Sequence, residues 1–106
     1  MRTWLGIDTA TDQASVAVAA DCVLAERGWR SGRNHTVELT AAVAAVLAEA
    51  RTAATELEGI AVAIGPGSYT GLRIGLALAK GMAIVNGAFV VGVPTLHALA
   101  AALSLP

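Results

Sequence analysis

The sequence predicts an α/β domain in which a mixed sheet is flanked by helices, with elements in the order βββαβαβα. Two observations lead to this prediction. Three short strand patterns follow one another at the start of the chain, and alternating strand and helix patterns occupy the rest. A meander followed by strand–helix units produces a mixed sheet, because a parallel strand pair needs a long crossover connection.

Length and composition set the limits of the fold. The chain has 106 residues, enough for one compact core and too few for two independent domains, so one domain over residues 1–106 is expected. Hydrophobic residues make up 56% and charged residues 14%, which excludes a disordered tail and suggests either an extensive buried surface or a large contact with another molecule. The formal net charge of -1, without a basic run, disfavours direct nucleic-acid binding.

A Cys/His zinc site, a disulfide bond and a membrane span are not expected. Cys22 is the single cysteine, and His35 and His97 are isolated, so no zinc-site spacing occurs. Glycine, proline and charged residues interrupt the apolar stretches before they reach the roughly 20 residues that a bilayer span needs. The start of the chain lacks the apolar run of a signal peptide. We therefore expect a cytoplasmic protein with no membrane contact.

The first third of the chain has the pattern of a three-stranded meander. Residues 3–7 form a β-type run, and residues 14–19 form a second one with β-branched side chains. Residues 23–29 alternate between two faces and form the third strand. One of these faces would carry Val23, Ala25, Arg27 and Trp29.

The first predicted helix is about 18 residues long and follows a polar turn. Its apolar residues recur with the spacing of one helix face; they are Leu39, Val43, Val46, Leu47 and Ala50. Asn34 or Thr36 is the expected N-cap, because either side-chain oxygen can accept from an unpaired first-turn amide.

Strand and helix patterns alternate over the second half of the chain. Residues 59–64 are a continuous apolar run, typical of a parallel strand covered on both faces. A helix is predicted from the turn at 65–68 to about residue 85, followed by a second buried strand at 89–93. A short final helix is expected over residues 94–103. This arrangement is that of the ribonuclease-H-like fold.

The glycine-rich turn before the second helix is the first candidate site. Glycines can leave amides open at a helix N-terminus, where the partial positive charge favours an anion. The candidate phosphate-binding residues are Gly65, Gly67, Ser68 and Thr70. The turn matches neither the Walker A loop nor the GxGxxG pattern. The alternative is a structural turn in which Ser68 or Thr70 caps the helix, and both interpretations are compatible.

The loop after the first strand is the second candidate site. Asp8, Thr9 and Thr11 place a carboxylate and two hydroxyls there, which could hold a magnesium-bound phosphate. An ordinary turn is the alternative interpretation.

Small residues four apart on the second helix predict a smooth helix face. Another helix can approach such a face closely, either from this chain or from a partner. The partner-interface candidates are Gly71, Leu72, Gly75, Leu76 and Ala79 on the second helix, and Leu39 and Val43 on the first.

Six sequence blocks occur in order along nearly the whole chain. They are GIDTAT at 6–11, SVAV at 15–18, NHT at 34–36, GPGSYTGLRIG at 65–75, AKG at 79–81 and GVPTL at 92–96. Together they closely resemble the TsaB/YeaZ family, and the block at 65–75 is the most specific. The resemblance implies one ribonuclease-H-like half of an ASKHA (actin-like ATPase) protein, with the family's second domain absent from this chain.

The resemblance also implies a role as a partner subunit. The related catalytic protein TsaD transfers a threonylcarbamoyl group to an adenosine of tRNA, and TsaB-like subunits pair with it. A TsaE-like ATPase joins the assembly, homodimers also form, and tRNA would be reached only through the complex. The chain itself would need no cofactor, although ATP or ADP with magnesium could occupy a composite site.

One departure from TsaD bears on catalysis. TsaD-like chains have a His-x-x-x-His metal pair after the strand that ends here near residue 94. In that register this sequence has Thr95 and Leu99, with His97 between them. Leucine cannot ligate a metal, so the resemblance favours an accessory subunit that is not an enzyme by itself. The alternatives are an ATPase or glycopeptidase-like hydrolase that uses Asp8 for magnesium, and a nucleotide-sensing binding module.

Overall fold

The computed structural model describes residues 2–32 and 35–94, which form one mixed sheet with two α-helices. The elements are β1 (Trp4–Asp8), β2 (Gln13–Ala19), β3 (Val23–Arg30), α1 (His35–Glu49), β4 (Gly59–Ala63), α2 (Tyr69–Asn86) and β5 (Phe89–Val93), with a 3-10 turn at Ala54–Glu56. This order confirms the predicted one through its seventh element. The expected final helix beyond Pro94 and the Asn34 cap lie outside the described residues.

The sheet has the strand order β3-β2-β1-β4-β5. The β1–β2 and β2–β3 pairs are antiparallel, whereas β4 is parallel to both β1 and β5. Leu5 at the centre of the sheet lies between Val18 on one side and Ile60 on the other. The meander therefore forms one half of the sheet, and the strand–helix units form the other half.

Both helices pack on the same face of the sheet. α1 contacts β2 and β3, and α2 contacts β4 and β1. The sheet residues in this core alternate along their strands, as the period of two requires; they are Leu5, Ile7, Val16, Val18, Ile60 and Val62. From α1, Leu39, Val43 and Val46 pack onto them.

No described helix covers the opposite face of the sheet. Small residues form its central row, because Gly6 pairs with both Ala17 and Ala61 across the strands. A groove of about 470 Å³ lies on this face. The described residues thus confirm that helices flank the sheet, and both of these helices lie on one face.

The prediction of a buried β5 is wrong for the described part of the chain. Phe89 is 68% exposed and Val91 is 44% exposed. β5 is the last strand of the sheet, and α2 packs more on β4 than on β5. β4 is buried at every position except Ala61, because strands flank it on both sides and α2 covers one face.

α1 is shorter than the predicted helix and ends at Glu49. Arg51 has a positive φ of 53°, and the Thr52 N–H donates to the Leu47 carbonyl oxygen at 3.0 Å. A left-handed residue with such a backward hydrogen bond is a common way to end a helix. α2 ends similarly at Gly87, where φ is 71°. Within the described residues, no helix is long and apolar enough to span a bilayer.

Candidate functional site

The two candidate loops predicted separately from the sequence are in contact. The Ser68 N–H donates to the carbonyl oxygen of Ala10, with an N–O distance of 2.6 Å. The Thr9 hydroxyl donates to the carbonyl oxygen of Gly71 over 2.6 Å. The β1–β2 loop therefore lies directly against the first turn of α2, and 62 residues of sequence separate the two partners of the second bond.

Three glycines make this approach possible. A Cβ added to Gly67 would lie 2.5 Å from the Ala10 carbonyl oxygen, and one added to Gly75 would lie 2.5 Å from Thr9 Oγ1. A Cβ on Gly71 would overlap the carbonyl oxygen of Thr9. These glycines are needed because a backbone segment or a buried side chain occupies the space that a side chain would fill.

Ser68 is the N-cap of α2, as the structural interpretation of the turn predicted. Its side-chain oxygen accepts from the Gly71 N–H at 3.3 Å, and its carbonyl accepts from the Leu72 N–H. Thr70, the other cap considered, already lies inside the helix. The amides of Ser68 and Gly71 are thus bonded within the chain. Gly65 has φ of 118°, in a region that favours glycine, and precedes a cis peptide bond to Pro66.

The side chains of Asp8 and Thr9 do not share a site. Successive residues of a strand point to opposite faces. Asp8 lines the groove on the helix-free face, and its Oδ1 accepts from the Ala10 N–H at 3.0 Å. Thr9 lies on the other face beneath α2, where only 8% of it is exposed. Thr11 bonds locally to Gln13. A magnesium–phosphate site that joins Asp8 to both threonines does not fit this arrangement.

A cavity of about 230 Å³ lies between the β1–β2 loop, the end of β3 and the first turns of both helices. Thr9, Thr11 and Ser68 line it, together with Trp29 and His35. The sequence had indicated neither Trp29 nor His35 as part of this region. Nothing in the local pattern marks them, because they meet the loop residues only in the folded chain.

A polar network at the start of α1 borders this cavity. Ser31 Oγ lies 2.5 Å from His35 Nδ1 and donates to Glu38 Oε1 at 3.2 Å. Glu38 also accepts from the Gly32 N–H at 2.9 Å. A carboxylate near a helix N-terminus is favourable because of the partial positive charge there. The network therefore stabilises the start of α1. Glu38, the acidic residue in the first turn of the helix, is the feature of the sequence that could have indicated this network, which was not predicted.

Five of the seven interface candidates are buried in this chain's own core. Gly71, Gly75 and Ala79 are the buried residues of α2, and a Cβ on Gly75 would meet Ile7 and Val62 of the sheet. Leu39 and Val43 are 1% and 5% exposed. The smooth face therefore serves an approach within this chain, although the element that approaches α2 is the sheet and not the helix that was one of the two predicted alternatives. Leu72 and Leu76 are half-buried.

A different surface of the two helices is open to solvent. We call it the inter-helix groove, a depression of about 370 Å³ lined by Thr36, Leu39, Thr40, Thr70, Arg73, Ile74, Ala77 and Leu78. Exposed apolar side chains lie on the same helices, with Val37 68% and Tyr69 74% exposed. The Arg73 guanidinium lies over the Tyr69 ring, 5.3 Å from its centre. Apolar surface beside a groove is typical of protein-binding sites.

Comparisons with known proteins show that the chain is similar to proteins named for one tRNA modification. The family model for TsaD, tRNA N6-adenosine threonylcarbamoyltransferase, matches residues 29–106. The chain is 36% identical over 96 residues to the tRNA threonylcarbamoyladenosine biosynthesis protein TsaB of Escherichia coli. It is 40% identical over 100 residues to TsaB of Bacillus subtilis. These matches cover 91% and 93% of this chain but 42% and 44% of the relatives, so it spans less than half of their length.

Two solved structures are similar to the chain, one in sequence and fold and the other in fold alone. YeaZ from Pseudomonas aeruginosa superposes with a TM-score of 0.82 at 32% identity, covering 89% of this chain and 44% of that one. RuvC of T. thermophilus superposes with a TM-score of 0.61 at 16% identity, covering 91% of this chain and 66% of RuvC. At that identity the second likeness concerns the fold alone. Together they agree with a ribonuclease-H-like half-domain of the actin-like type.

Proposed function

Because this chain belongs to the TsaB/YeaZ family, within the wider group matched by the TsaD model, we propose that it acts in threonylcarbamoyladenosine biosynthesis as a non-catalytic partner subunit. Its role is to bind a TsaD-like catalytic subunit and stabilise the active arrangement of that subunit. The observation behind this proposal is the inter-helix groove, an open surface with exposed apolar residues on both helices. The similarity to curated TsaB proteins supports the pathway.

The chemistry of the groove suits a protein partner. Its floor is apolar, since Leu39, Ile74 and Leu78 line it, and hydroxyl groups and one guanidinium stand around them. An apolar centre with a polar rim is the usual composition of a protein interface. Arginine and tyrosine are enriched among residues that dominate binding energy, which makes the stacked Arg73 and Tyr69 the expected anchors.

The state of the glycine-rich turn supports an accessory role. The N–H groups of Ser68 and Gly71 donate hydrogen bonds within the chain, and the Thr9 hydroxyl donates to the Gly71 carbonyl oxygen. These bonds hold the β1–β2 loop and α2 together, which is a structural role for the turn. The absence of a TsaD-type metal pair at Thr95 and Leu99 stays a prediction, because those residues lie outside the described part of the chain.

The rest of the assembly follows from the same family assignment. A TsaE-like ATPase joins the complex, tRNA is met through the complex, and a homodimer can form through the same helices. ATP or ADP with magnesium at a composite site, and a cytoplasmic location, stay predictions.

A charge placed in the groove tests the proposal. Ala77 is exposed and lines the inter-helix groove, so Ala77→Arg puts a bulky cation into the expected contact without disturbing the core. We expect the affinity for the cognate TsaD-like protein to fall at least about tenfold in titration calorimetry. The control is Val23→Arg at the start of β3, where Val23 is 57% exposed and belongs to neither helix.

The control variant should bind like the original chain. Equal binding by Ala77→Arg and the original chain would rule out the inter-helix groove as the contact surface. Absence of binding by the original chain itself would contradict the proposed function. Light-scattering masses of the chain alone and of the mixture distinguish the monomer, the self-pair and the heteropair.

A further inference from the structure

We infer that Thr9 is a positioning residue: its hydroxyl holds the first turns of α2 against the β1–β2 loop and thereby sets the shape of the inter-helix groove. The first part of this inference concerns the chain alone. The second part, an effect on partner binding, rests on the proposed function.

The bond at the centre of this inference is short, buried and non-local. Thr9 is 8% exposed, and its Oγ1 lies 2.6 Å from the carbonyl oxygen of Gly71. A carbonyl oxygen has two lone pairs, so this oxygen can accept from Thr9 as well as from the helix ladder. A buried hydroxyl without a partner would be unfavourable. Thr9 therefore favours the one helix position in which Gly71 stays within reach.

The glycines show that this position is closely determined. At Gly75 a Cβ would lie 2.5 Å from Thr9 Oγ1, and at Gly71 it would overlap the Thr9 carbonyl oxygen. The helix therefore contacts Thr9 at two consecutive turns, through its side chain and its backbone. The Ser68 N–H bond to Ala10 adds a third contact at the start of the helix. Rotation or translation of α2 would break these contacts together.

The same two turns of α2 form one wall of the inter-helix groove. Thr70, Arg73 and Ile74 line the groove, and Arg73 lies two positions from both Gly71 and Gly75, the glycines that contact Thr9. Residues two positions apart on a helix point about 200° apart. The contact with Thr9 and the groove are thus on different sides of one rigid segment. A shift of the helix side that contacts Thr9 would therefore move Arg73 relative to Thr36 and Thr40 on α1.

Two substitutions at Thr9 separate the hydroxyl from the shape of the side chain. Thr9→Val keeps the shape and removes the donor, whereas Thr9→Ser keeps the donor. The matched control is Thr52→Val, which removes another threonine hydroxyl bond, from Oγ1 to the Ala50 carbonyl at 3.1 Å. Thr52 lies after α1, at the end remote from the Thr36 and Thr40 wall of the groove.

Hydrogen exchange of the chain alone tests the positioning role. In Thr9→Val we expect the amides of residues 72–76 to exchange about five- to tenfold faster, because the first turns of α2 open more easily. Thr9→Ser should restore the rates nearly to those of the original chain. Unchanged exchange in Thr9→Val would overturn the inference. Equal acceleration of the same amides in Thr52→Val would also overturn it, since that would indicate a global loss of stability.

Titration with the TsaD-like protein tests the link to the groove. We expect Thr9→Val to bind about fivefold more weakly and Thr9→Ser to bind like the original chain. Faster exchange with unchanged affinity would overturn the link while leaving the positioning role of Thr9. If the original chain does not bind at all, the proposed function fails, and the exchange measurement still decides the role of Thr9.

Discussion

The inner and outer sides of α2 both contain small residues, but they differ in burial and in what those residues contact. The inner side consists of Gly71, Gly75 and Ala79, all buried against the sheet. The outer side has exposed residues such as Tyr69 and Ala77, together with Gly81, where no atom of the described residues lies within 4 Å of an added Cβ. Small residues thus occur on both sides for different reasons. On the inner side the β1–β2 loop and the sheet occupy the space, and on the outer side no described residue occupies it.

This difference shows what a small-residue pattern means in a soluble domain. A stripe of glycines indicates that another part of a protein packs closely against the helix. Which part that is depends on the fold. Here it is the β1–β2 loop of the same chain. We therefore expect the proposed partner on the side of α2 where the small residues contact none of the described residues.

The largest expected effect comes from filling the inner side. Gly75→Leu puts a side chain where Thr9 Oγ1 would be only 2.5 Å from the new Cβ, so the free energy of unfolding should fall by at least about 3 kcal/mol. Denaturant unfolding measures this loss, and a chain that cannot fold shows no cooperative transition.

The matched control lies on the outer side of the same helix. Gly81→Leu meets none of the described residues, and leucine has a higher helix propensity than glycine, so stability should rise by about 0.5–1 kcal/mol. If both variants lost stability equally, the contrast between the two sides would be wrong.

An intermediate effect is expected at the start of α2. Ser68→Ala removes the acceptor for the Gly71 N–H and should lower the free energy of unfolding by about 1 kcal/mol. Thr70→Ala, at an exposed position inside the helix, should change it by less than about 0.5 kcal/mol. Thermal unfolding of the two variants decides between the caps, and a larger loss at Thr70 would contradict the assignment of Ser68.

The smallest effect on stability is expected on the outer side. Arg73→Ala removes an exposed cation–π contact with Tyr69 and should lower stability by about 0.5 kcal/mol or less. Its effect on affinity for the TsaD-like protein should be larger, since Arg73 lines the inter-helix groove. Arg73→Lys keeps the charge without the planar group and serves as the control. A loss of stability with unchanged affinity would reverse the expected roles of the two sides.

Much of the fold could be predicted because it depends on patterns a few residues long. β-Branched residues indicated β2, alternation indicated β3, and the spacing of Leu39, Val43 and Val46 indicated the buried side of α1. The error at β5 has a physical cause. An apolar run such as residues 89–93 indicates a strand, but the position of that strand at the edge of the sheet depends on the pairing of all the others.

The candidate site was only partly predictable for a related reason. Both loops were recognised, because glycine, proline and hydroxyl residues mark turns. Their contact was not, and neither was the separation of Asp8 from Thr9 onto opposite faces of the sheet. The end of a strand and the side toward which each residue points depend on register with the neighbouring strands.

The element order through β5, a helix cap at Ser68 or Thr70, and the family could all be predicted from the sequence alone. These features depend on residues close together along the chain. The folded chain was needed to show that Gly71 and Gly75 face Thr9 and that the inter-helix groove is an open surface. Those contacts join residues about sixty positions apart, and a glycine accommodates a close neighbour without specifying which neighbour it is.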